Sequence, residues 1–126
     1  MISQARVGAT LPAGDIERAR RWYEEKLGLT PVGTDPDGGL RYQTGGGTMF
    51  AVFPTGITER AGHTQMAIEA ADARAEVAEL RARGVVFEEY DQPGLQTVDG
   101  LVELGGLVGG WFKDSEGNLI GIFQAQ

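Results

Sequence analysis

The stretch WFKDSEGNLIGIF, from Trp111 to Phe123, predicts a β-hairpin and decides how the rest of the chain is interpreted. Two apolar runs flank a short polar turn between Asp114 and Asn118, a composition typical of two strands joined by a tight turn. A related pattern occurs earlier, where GTMFAVF at 47–53 matches GNLIGIF at 117–123. The hairpin therefore recurs, which indicates an internal repeat.

Each half of the chain also contains one predicted helix. The first begins at the N-cap residue Asp15 and ends at Gly28, and the second runs from Asp72 to Gly84. Apolar residues recur at helical spacing in both segments. Strand-like runs fall at 5–11, 30–33, 40–44 and 48–53 in the first half, and at 64–69, 85–89, 101–104, 107–113 and 119–123 in the second.

The order of these elements predicts one α+β domain, 1–126, built from two strand-helix-strand-strand-strand modules. Module 1 spans about 1–56 and module 2 about 61–126. The second half carries an extra segment at 90–100, in which Pro93-Gly94 favours a turn. This segment is either a lid over a cavity, with Tyr90 and Leu95 as capping side chains, or a dimer contact.

Composition limits the classes of function. The chain has 126 residues, no cysteine and a net charge of −7, so disulfides, thiolate chemistry and the basic footprint of a nucleic-acid-binding protein are excluded. No apolar run is long enough to span a membrane, and the N-terminal residues lack the pattern of a signal peptide. We therefore expect a cytoplasmic protein with neither nucleic-acid nor membrane partners.

The negative charge is unevenly distributed. No basic residue lies between Arg83 and Lys113. The carboxylates in that interval are Glu88, Glu89, Asp91, Asp99 and Glu103. This acidic region is either a solvated surface that aids solubility or a rim that attracts cationic ligands.

Three motifs, in their order and spacing, resemble those of the vicinal oxygen chelate superfamily, which includes glyoxalase I, bleomycin-resistance proteins and extradiol dioxygenases. The motifs are GDIERARRWYEEKLGL at 14–29, QMAIEAADARAEVAELRARGV at 65–85 and WFKDSEGNLIGIF at 111–123. The resemblance covers nearly the whole chain. It implies two βαβββ modules whose curved mixed sheets enclose a central cavity, with helices on the outer faces and frequently with a homodimeric assembly.

The resemblance also implies four inward positions that hold His or Glu ligands in the metal-using members. In this sequence they fall on Gly8, Ala51, Gln65 and Gly121. None is an ordinary strong metal ligand, because a divalent ion needs several converging imidazole or carboxylate groups. The lone histidine, His63, lies two residues before Gln65 and would have no partner ligands. We therefore expect no metal and no other cofactor.

With those four positions taken as inward, period-two alternation predicts an inner face that is mostly apolar, with small residues at its centre. Arg41 is an additional polar candidate. An alternative interpretation is that these side chains simply fill the space between the sheets. The candidate ligand-binding residues are Thr10, Tyr42, Met49, Ala51, Phe53, Gln65, Ala67, Glu69, Tyr90, Trp111, Leu119, Gly121 and Phe123.

Three functions follow from these patterns. The favoured one is a metal-independent protein that binds an apolar or aromatic small molecule, including a cationic one, in the cavity between the sheets. The alternative is a metal-independent lyase or isomerase with Glu69 as general base. A third, a module that binds proteins through a helix face, has no positive support in the sequence. No catalytic residue is assigned, since one histidine cannot form a Ser-His-Asp set and no phosphate-binding loop precedes a helix.

Overall fold

A computed structural model describes residues 1–124 and confirms the α+β fold. Two helices, α1 and α2, separate short strands in a repeating order. The helices are Ile16–Leu27 (α1) and Ala73–Ala82 (α2). The strands are Ala9–Ala13 (β1), Gly33–Thr34 (β2), Leu40–Gln43 (β3), Met49–Pro54 (β4), Met66–Glu69 (β5), Asp91–Gln92 (β6), Leu95–Gln96 (β7), Val102–Leu104 (β8), Leu107–Lys113 (β9) and Leu119–Gln124 (β10).

The strands form two mixed sheets of the same design. The first has the order β1-β4-β3-β2 and the second the order β5-β10-β9-β8. In each sheet the first and last strands of the module are parallel, with Ala9 opposite Phe50 in one and Met66 opposite Ile120 in the other. The remaining pairs are antiparallel. The sheets do not close into a barrel, so one face of each remains open.

Both helices begin where the sequence predicts. The carboxylate of Asp15 accepts a hydrogen bond from the backbone N–H of Arg18, and that of Asp72 accepts one from Ala75, each at 3.0 Å. These bonds satisfy backbone donors that have no partner within the helix. The first helix ends at Gly28, whose left-handed backbone (φ 68°) closes the last turn.

The two modules share one core on the side of the sheets that faces the helices. Tyr23 of α1 stacks on Tyr42 of β3 at 5.3 Å between ring centroids, and Trp22 lies 6.1 Å from Phe112 of β9. Helix α1 therefore packs against both modules. Because the helices cover only this side, the opposite faces of the sheets form an open surface, called the open face below.

The second half departs from the prediction after α2. The predicted strand at 85–89 is reduced to a single bridge between Phe87 and Phe112. The extra segment forms a two-stranded ribbon, β6 and β7, around the predicted Pro93-Gly94 turn. It returns to the helix side, where Arg81 donates to the backbone oxygen of Asp99 at 2.6 Å. Among the described residues, no helix is long and apolar enough to cross a membrane.

Candidate functional site

Most of the candidate residues lie on the open face, as alternation predicts. In the first sheet Thr10 pairs with Ala51, and Ala51 pairs with Arg41. In the second sheet Ala67 pairs with Gly121, and Gly121 pairs with Trp111. Paired residues project to the same side of a sheet, so each sheet presents a continuous row of candidate positions.

Tyr42 is an exception and corrects the prediction. It pairs with Phe50 on the helix side, and its side chain is fully buried between Tyr23 and Phe50. The alternation along β3 puts Arg41, rather than Tyr42, on the open face. Tyr42 is therefore a core residue and not a wall of the predicted cavity.

The four positions that the resemblance implies for metal ligands do not fit a metal ion here. Three of them are Gly8, Ala51 and Gly121, which carry no donor side chain. The fourth, Gln65, uses its amide within the protein: its carbonyl oxygen accepts from Leu119 N, and its Nε2 donates to Asn118, both at 3.1 Å. Within residues 1–124 no three His, Asp or Glu side chains converge in a metal-binding geometry.

Trp111 occupies the space above Gly121. A Cβ atom at Gly121 would lie 3.3 Å from the indole Nε1 and 3.3 Å from a methyl carbon of Thr64. The same indole donates to the Thr64 hydroxyl at 3.0 Å, and the Tyr90 ring meets it edge-on at 5.5 Å. Glycine at 121 therefore makes room for an aromatic side chain at a position that the resemblance implies for a metal ligand.

A groove of about 1260 Å³ lies between the two modules, at the end where β1 begins and β5 finishes. Four of the candidate residues line it, namely Met49, Ala67, Glu69 and Phe123. Sequence reasoning missed several further lining residues that belong to the helices, to the 44–48 turn and to the helix-facing sides of the strands. These include Leu27, Leu29, Thr44, Thr48, Phe50, Met66, Ile68, Glu76, Leu80 and Ile122. No local pattern in the sequence marks these residues, because the space between them depends on how the two modules pack.

The groove has an apolar wall and an acidic rim. Among residues 1–124, its only charged lining residues are Glu69 and Glu76, and no lysine, arginine or histidine takes part. Neither carboxylate forms a salt bridge within the described part of the chain. The sequence pointed to the acidic region between Arg83 and Lys113 as a possible rim, but none of its residues lines the groove.

Several candidates do not line the groove, namely Tyr90, Trp111, Thr10, Ala51, Phe53, Gln65, Leu119 and Gly121. No residue of the extra segment 90–100 lines it either. Glu89 at the base of that segment accepts a hydrogen bond from the Thr97 hydroxyl at 2.7 Å. The extra segment is therefore folded on itself beside Trp111, and its role as lid or dimer contact stays a prediction.

The opposite end of the junction between the modules is filled by polar side chains. We call Tyr23, Asp114, Glu116 and Asn118 the closed-end cluster. Asp114 accepts from the Tyr23 hydroxyl at 2.7 Å and from Asn118 Nδ2 at 2.8 Å. Asn118 also donates to the backbone oxygen of Pro12 at 2.9 Å, which links module 2 to module 1. All four residues are buried.

Two ionisable groups of the closed-end cluster are strongly perturbed. Burial, followed by the negative charge of Asp114, raises the pKa of Tyr23 well above its ordinary value. Burial acts to raise the pKa of Glu116, but hydrogen bonds from Arg18, Ser115 and the Asp15 backbone outweigh it and lower that pKa to about 2. Glu116 is therefore an ionised, fully engaged structural residue.

The sequence and the fold match known proteins. The family model of the Glyoxalase/Bleomycin resistance protein/Dioxygenase superfamily matches residues 5–122. The chain therefore belongs to this superfamily, as the motifs predicted. A search of curated proteins gives no match.

Solved structures share the fold at low sequence identity. A glyoxalase / bleomycin resistance protein from Catenulispora acidiphila is 20% identical with a TM-score of 0.68, covering 98% of this chain and 100% of its own. TnmS3, an antibiotic binding protein from Streptomyces sp. CB03234, is 22% identical with a TM-score of 0.66 and full coverage of both chains. A lactoylglutathione lyase from Agrobacterium tumefaciens is 20% identical with a TM-score of 0.67, covering 96% and 93%. At these identities the likeness concerns the fold alone.

Proposed function

We propose that this protein is a metal-independent binding protein for an apolar or aromatic small molecule, including a cationic one. The observation that carries the proposal is the groove of about 1260 Å³, whose wall is apolar and whose only charged groups from the described residues are the carboxylates of Glu69 and Glu76. Pockets of this kind bury a small ligand against apolar side chains and orient it with a few polar groups.

Two further observations support binding without metal chemistry. Gly8, Ala51 and Gly121 supply no ligand, and the Gln65 amide is already hydrogen-bonded to Leu119 and Asn118. The Lewis-acid role of a metal in related enzymes would have no ligand set in this chain. A structural relative named as an antibiotic binding protein has the same fold, which makes sequestration without chemistry a reasonable model.

The proposal is tested by ligand-induced stabilisation. Melting temperature is followed against a panel of aromatic compounds that differ in charge: cationic proflavine, neutral naphthalene derivatives and the anionic dye ANS. A compound that binds only the folded state stabilises it by about 2.7 kcal/mol at a hundred times its Kd. We expect at least one apolar or aromatic member to bind in the presence of EDTA, and failure of the whole panel would contradict the proposal.

The alternative is a metal-independent lyase or isomerase, and the observation in its favour is that the Glu69 carboxylate lines the groove. Glu69 is exposed, and no other side chain is hydrogen-bonded to its carboxylate in the described residues. Mass spectrometry of each bound compound after prolonged incubation would detect chemistry. Turnover that is lost in Glu69→Gln, with binding retained, would favour the enzyme.

Two other expectations remain proposals. The partly exposed apolar residues of the open face, among them Ala51 and Phe53, suit a homodimer contact. A cytoplasmic location and the absence of nucleic-acid partners are consistent with the net charge of −7.

A further inference from the structure

The two ends of the junction between the modules are built from equivalent positions of the repeat. The parallel strand pairs share one register, and each following turn is closed by the same backbone bond, Thr44 N to Thr48 O at 2.9 Å and Asp114 N to Asn118 O at 3.0 Å. Tyr23 is the eighth residue after the N-cap Asp15, and Leu80 is the eighth residue after the N-cap Asp72, so the two positions are equivalent. The equivalent pairs are therefore Tyr23 and Leu80, Asp114 and Thr44, Asn118 and Thr48, and Pro12 and Glu69.

At the closed end these positions hold the modules together. The phenol of Tyr23, from module 1, reaches the carboxylate of Asp114 in the module 2 turn. Asn118, from the same turn, reaches back to the Pro12 backbone. Glu116 adds a bidentate ion pair with Arg18 at 2.8 and 2.9 Å. The space between the modules is thus filled by side chains of the turn and by one aromatic ring.

At the opposite end the four equivalent residues named above, Leu80, Thr44, Thr48 and Glu69, line the groove instead. Leu80 replaces the tyrosine, and Thr44 and Thr48 replace the aspartate and asparagine. The two threonine hydroxyls are 2.8 Å apart, and the Thr48 hydroxyl also donates to the Gly45 backbone, so they bond within the turn rather than across the junction. The groove is therefore the volume that the closed-end cluster fills in the other half.

We propose that the ligand takes the place of this missing cluster. The ligand enters between β1 and β5 and extends towards the helices. Its aromatic ring packs against Leu80 and Met66, at the position that corresponds to the ring of Tyr23. A cationic group on the ligand meets the carboxylates of Glu69 and Glu76. This inference rests on the proposed function, and it distinguishes the groove from the open face around Ala51, Gly121 and Trp111 as the place of binding.

Charge complementarity decides the ligand class. Both charged groups of the lining are carboxylates, neither has a basic partner among the described residues, and the chain as a whole is acidic. A cation within reach of both carboxylates gains attraction from each, whereas an anion is repelled. We expect proflavine, a cationic planar aromatic, to bind at least tenfold more tightly than ANS.

The first experiment locates proflavine without altering the protein. Methyl-labelled methionine gives three signals, of which Met66 reports the helix side of the groove and fully exposed Met1 is an internal control. We expect proflavine to shift the Met66 methyl signal at saturating concentration and to leave Met1 unchanged. A shift of the Trp111 indole N–H with an unchanged Met66 signal would place the dye on the open face and overturn the inference.

The second experiment fills the groove. Leu80→Tyr combined with Thr44→Asn introduces the equivalent of Tyr23 together with an uncharged counterpart of Asp114, so the net charge does not change. We expect a higher melting temperature without ligand and at least tenfold weaker proflavine binding. Ala51→Leu, which adds volume to the open face, is the matched control and should bind as the wild type does. The reverse pattern, with Ala51→Leu impaired and the double variant unaffected, would overturn the inference.

The role of the two carboxylates is tested separately. Glu69→Gln and Glu76→Gln should each weaken proflavine binding several-fold at low ionic strength, because each removes one negative charge from the rim. Glu25→Gln, an exposed change of the same charge on α1, should have little effect. Binding of only ANS or a neutral compound would leave the proposed function intact and refute this inference, whereas binding of no compound would refute both.

Discussion

At the scale of single residues, two buried tyrosines in the same core have opposite hydrogen-bonding states. The hydroxyl of Tyr23 donates to Asp114 at 2.7 Å. The buried hydroxyl of Tyr42 has no hydrogen-bond partner among the described residues, and burial raises the pKa of Tyr42 to about 12. The rings of Tyr23 and Tyr42 stack on each other, so the two side chains pack in similar surroundings and differ in whether the hydroxyl is hydrogen-bonded.

This contrast predicts opposite effects of the same substitution. Tyr42→Phe removes an unsatisfied polar group and should leave the free energy of unfolding unchanged or raise it by up to about 1 kcal/mol. Tyr23→Phe breaks a buried bond to a carboxylate and should lower it by about 1–3 kcal/mol. Urea denaturation at pH 7 measures both. A loss of more than about 1 kcal/mol in Tyr42→Phe would show that its hydroxyl has a partner.

Glycine at 121 illustrates what one residue type does and does not reveal. The sequence shows that position 121, which the resemblance implies for a metal ligand, has no side chain that could bind a metal ion. It does not show that Trp111 covers the vacated space and bonds to Thr64. The residue type at position 121 shows only that no side chain there can bind a metal. Which neighbour fills the space above it depends on strand pairing, and here Gly121 pairs with Trp111.

At the scale of elements, the helices depend on their first residues. Asp72 is an N-cap whose carboxylate accepts from the Ala75 N–H at 3.0 Å. Asp72→Ala should lower the free energy of unfolding by about 1 kcal/mol, since it leaves that donor unsatisfied. Asp72→Asn, which keeps an accepting oxygen, should remain close to the wild type. Chemical denaturation of the three proteins checks this, and equal losses in both variants would contradict the capping role.

Elements were predictable where local chemistry dominates. Both N-caps, the Gly28 stop and the hairpin at 111–123 follow from nearby residues, and they appear as expected. The segment at 85–89 was predicted as a strand from its apolar composition but keeps only one bridge, at Phe87. Strand β8 pairs with β9 from Leu107 to Gly109, so only the part of that edge near Phe112 is left for the 85–89 segment. Such competition between distant segments leaves no local signal.

At the scale of the whole molecule, the closed-end cluster should make stability depend on acid pH. Glu116 has a pKa of about 2 in the folded protein against an ordinary value of 4.5. Its ionised form therefore stabilises the fold fully above about pH 4.5, and this contribution is lost as the pH falls from there to about 2. A shift of this size corresponds to roughly 3 kcal/mol.

Glu116→Gln isolates this contribution from that of the other carboxylates. We expect the variant to be less stable than the wild type at pH 7 and the difference to shrink as the pH falls from about 4.5 to 2. Thermal unfolding at a series of pH values measures the difference. A gap that stays constant over that range would show that Glu116 does not contribute through its charge.

Assembly is a second property at this scale. We predict a homodimer in solution, because apolar side chains of the open face, such as Phe53, are partly exposed in one copy of the chain. Sedimentation velocity over a wide concentration range tests this. Phe53→Asp should shift the equilibrium towards monomer, and Ile57→Asp, an equally large charge change at an exposed apolar residue outside the strands, serves as control. A monomer at all concentrations would contradict the prediction.

The sequence by itself determined the repeat and the fold class, and it has no His or carboxylate at the four positions that the resemblance implies for metal ligands. These properties depend on periodicity, on capping and turn residues, and on the identity of side chains at aligned positions, all of which are local. Alternation also assigned Ala51, Ala67 and Gly121 to the open face. It did not assign Tyr42, because a residue's face depends on the register of its strand, and only the pairing with Phe50 fixed it.

Only the tertiary structure decided where a ligand has room. The groove exists because Leu80, Thr44 and Thr48 meet across the junction between the modules without filling it, whereas Tyr23 and Asp114 fill the equivalent space. These residues are far apart in the chain, and each is ordinary in its local context. Unfilled volume is a property of how two separate modules pack together, so it appears only when both are placed in three dimensions.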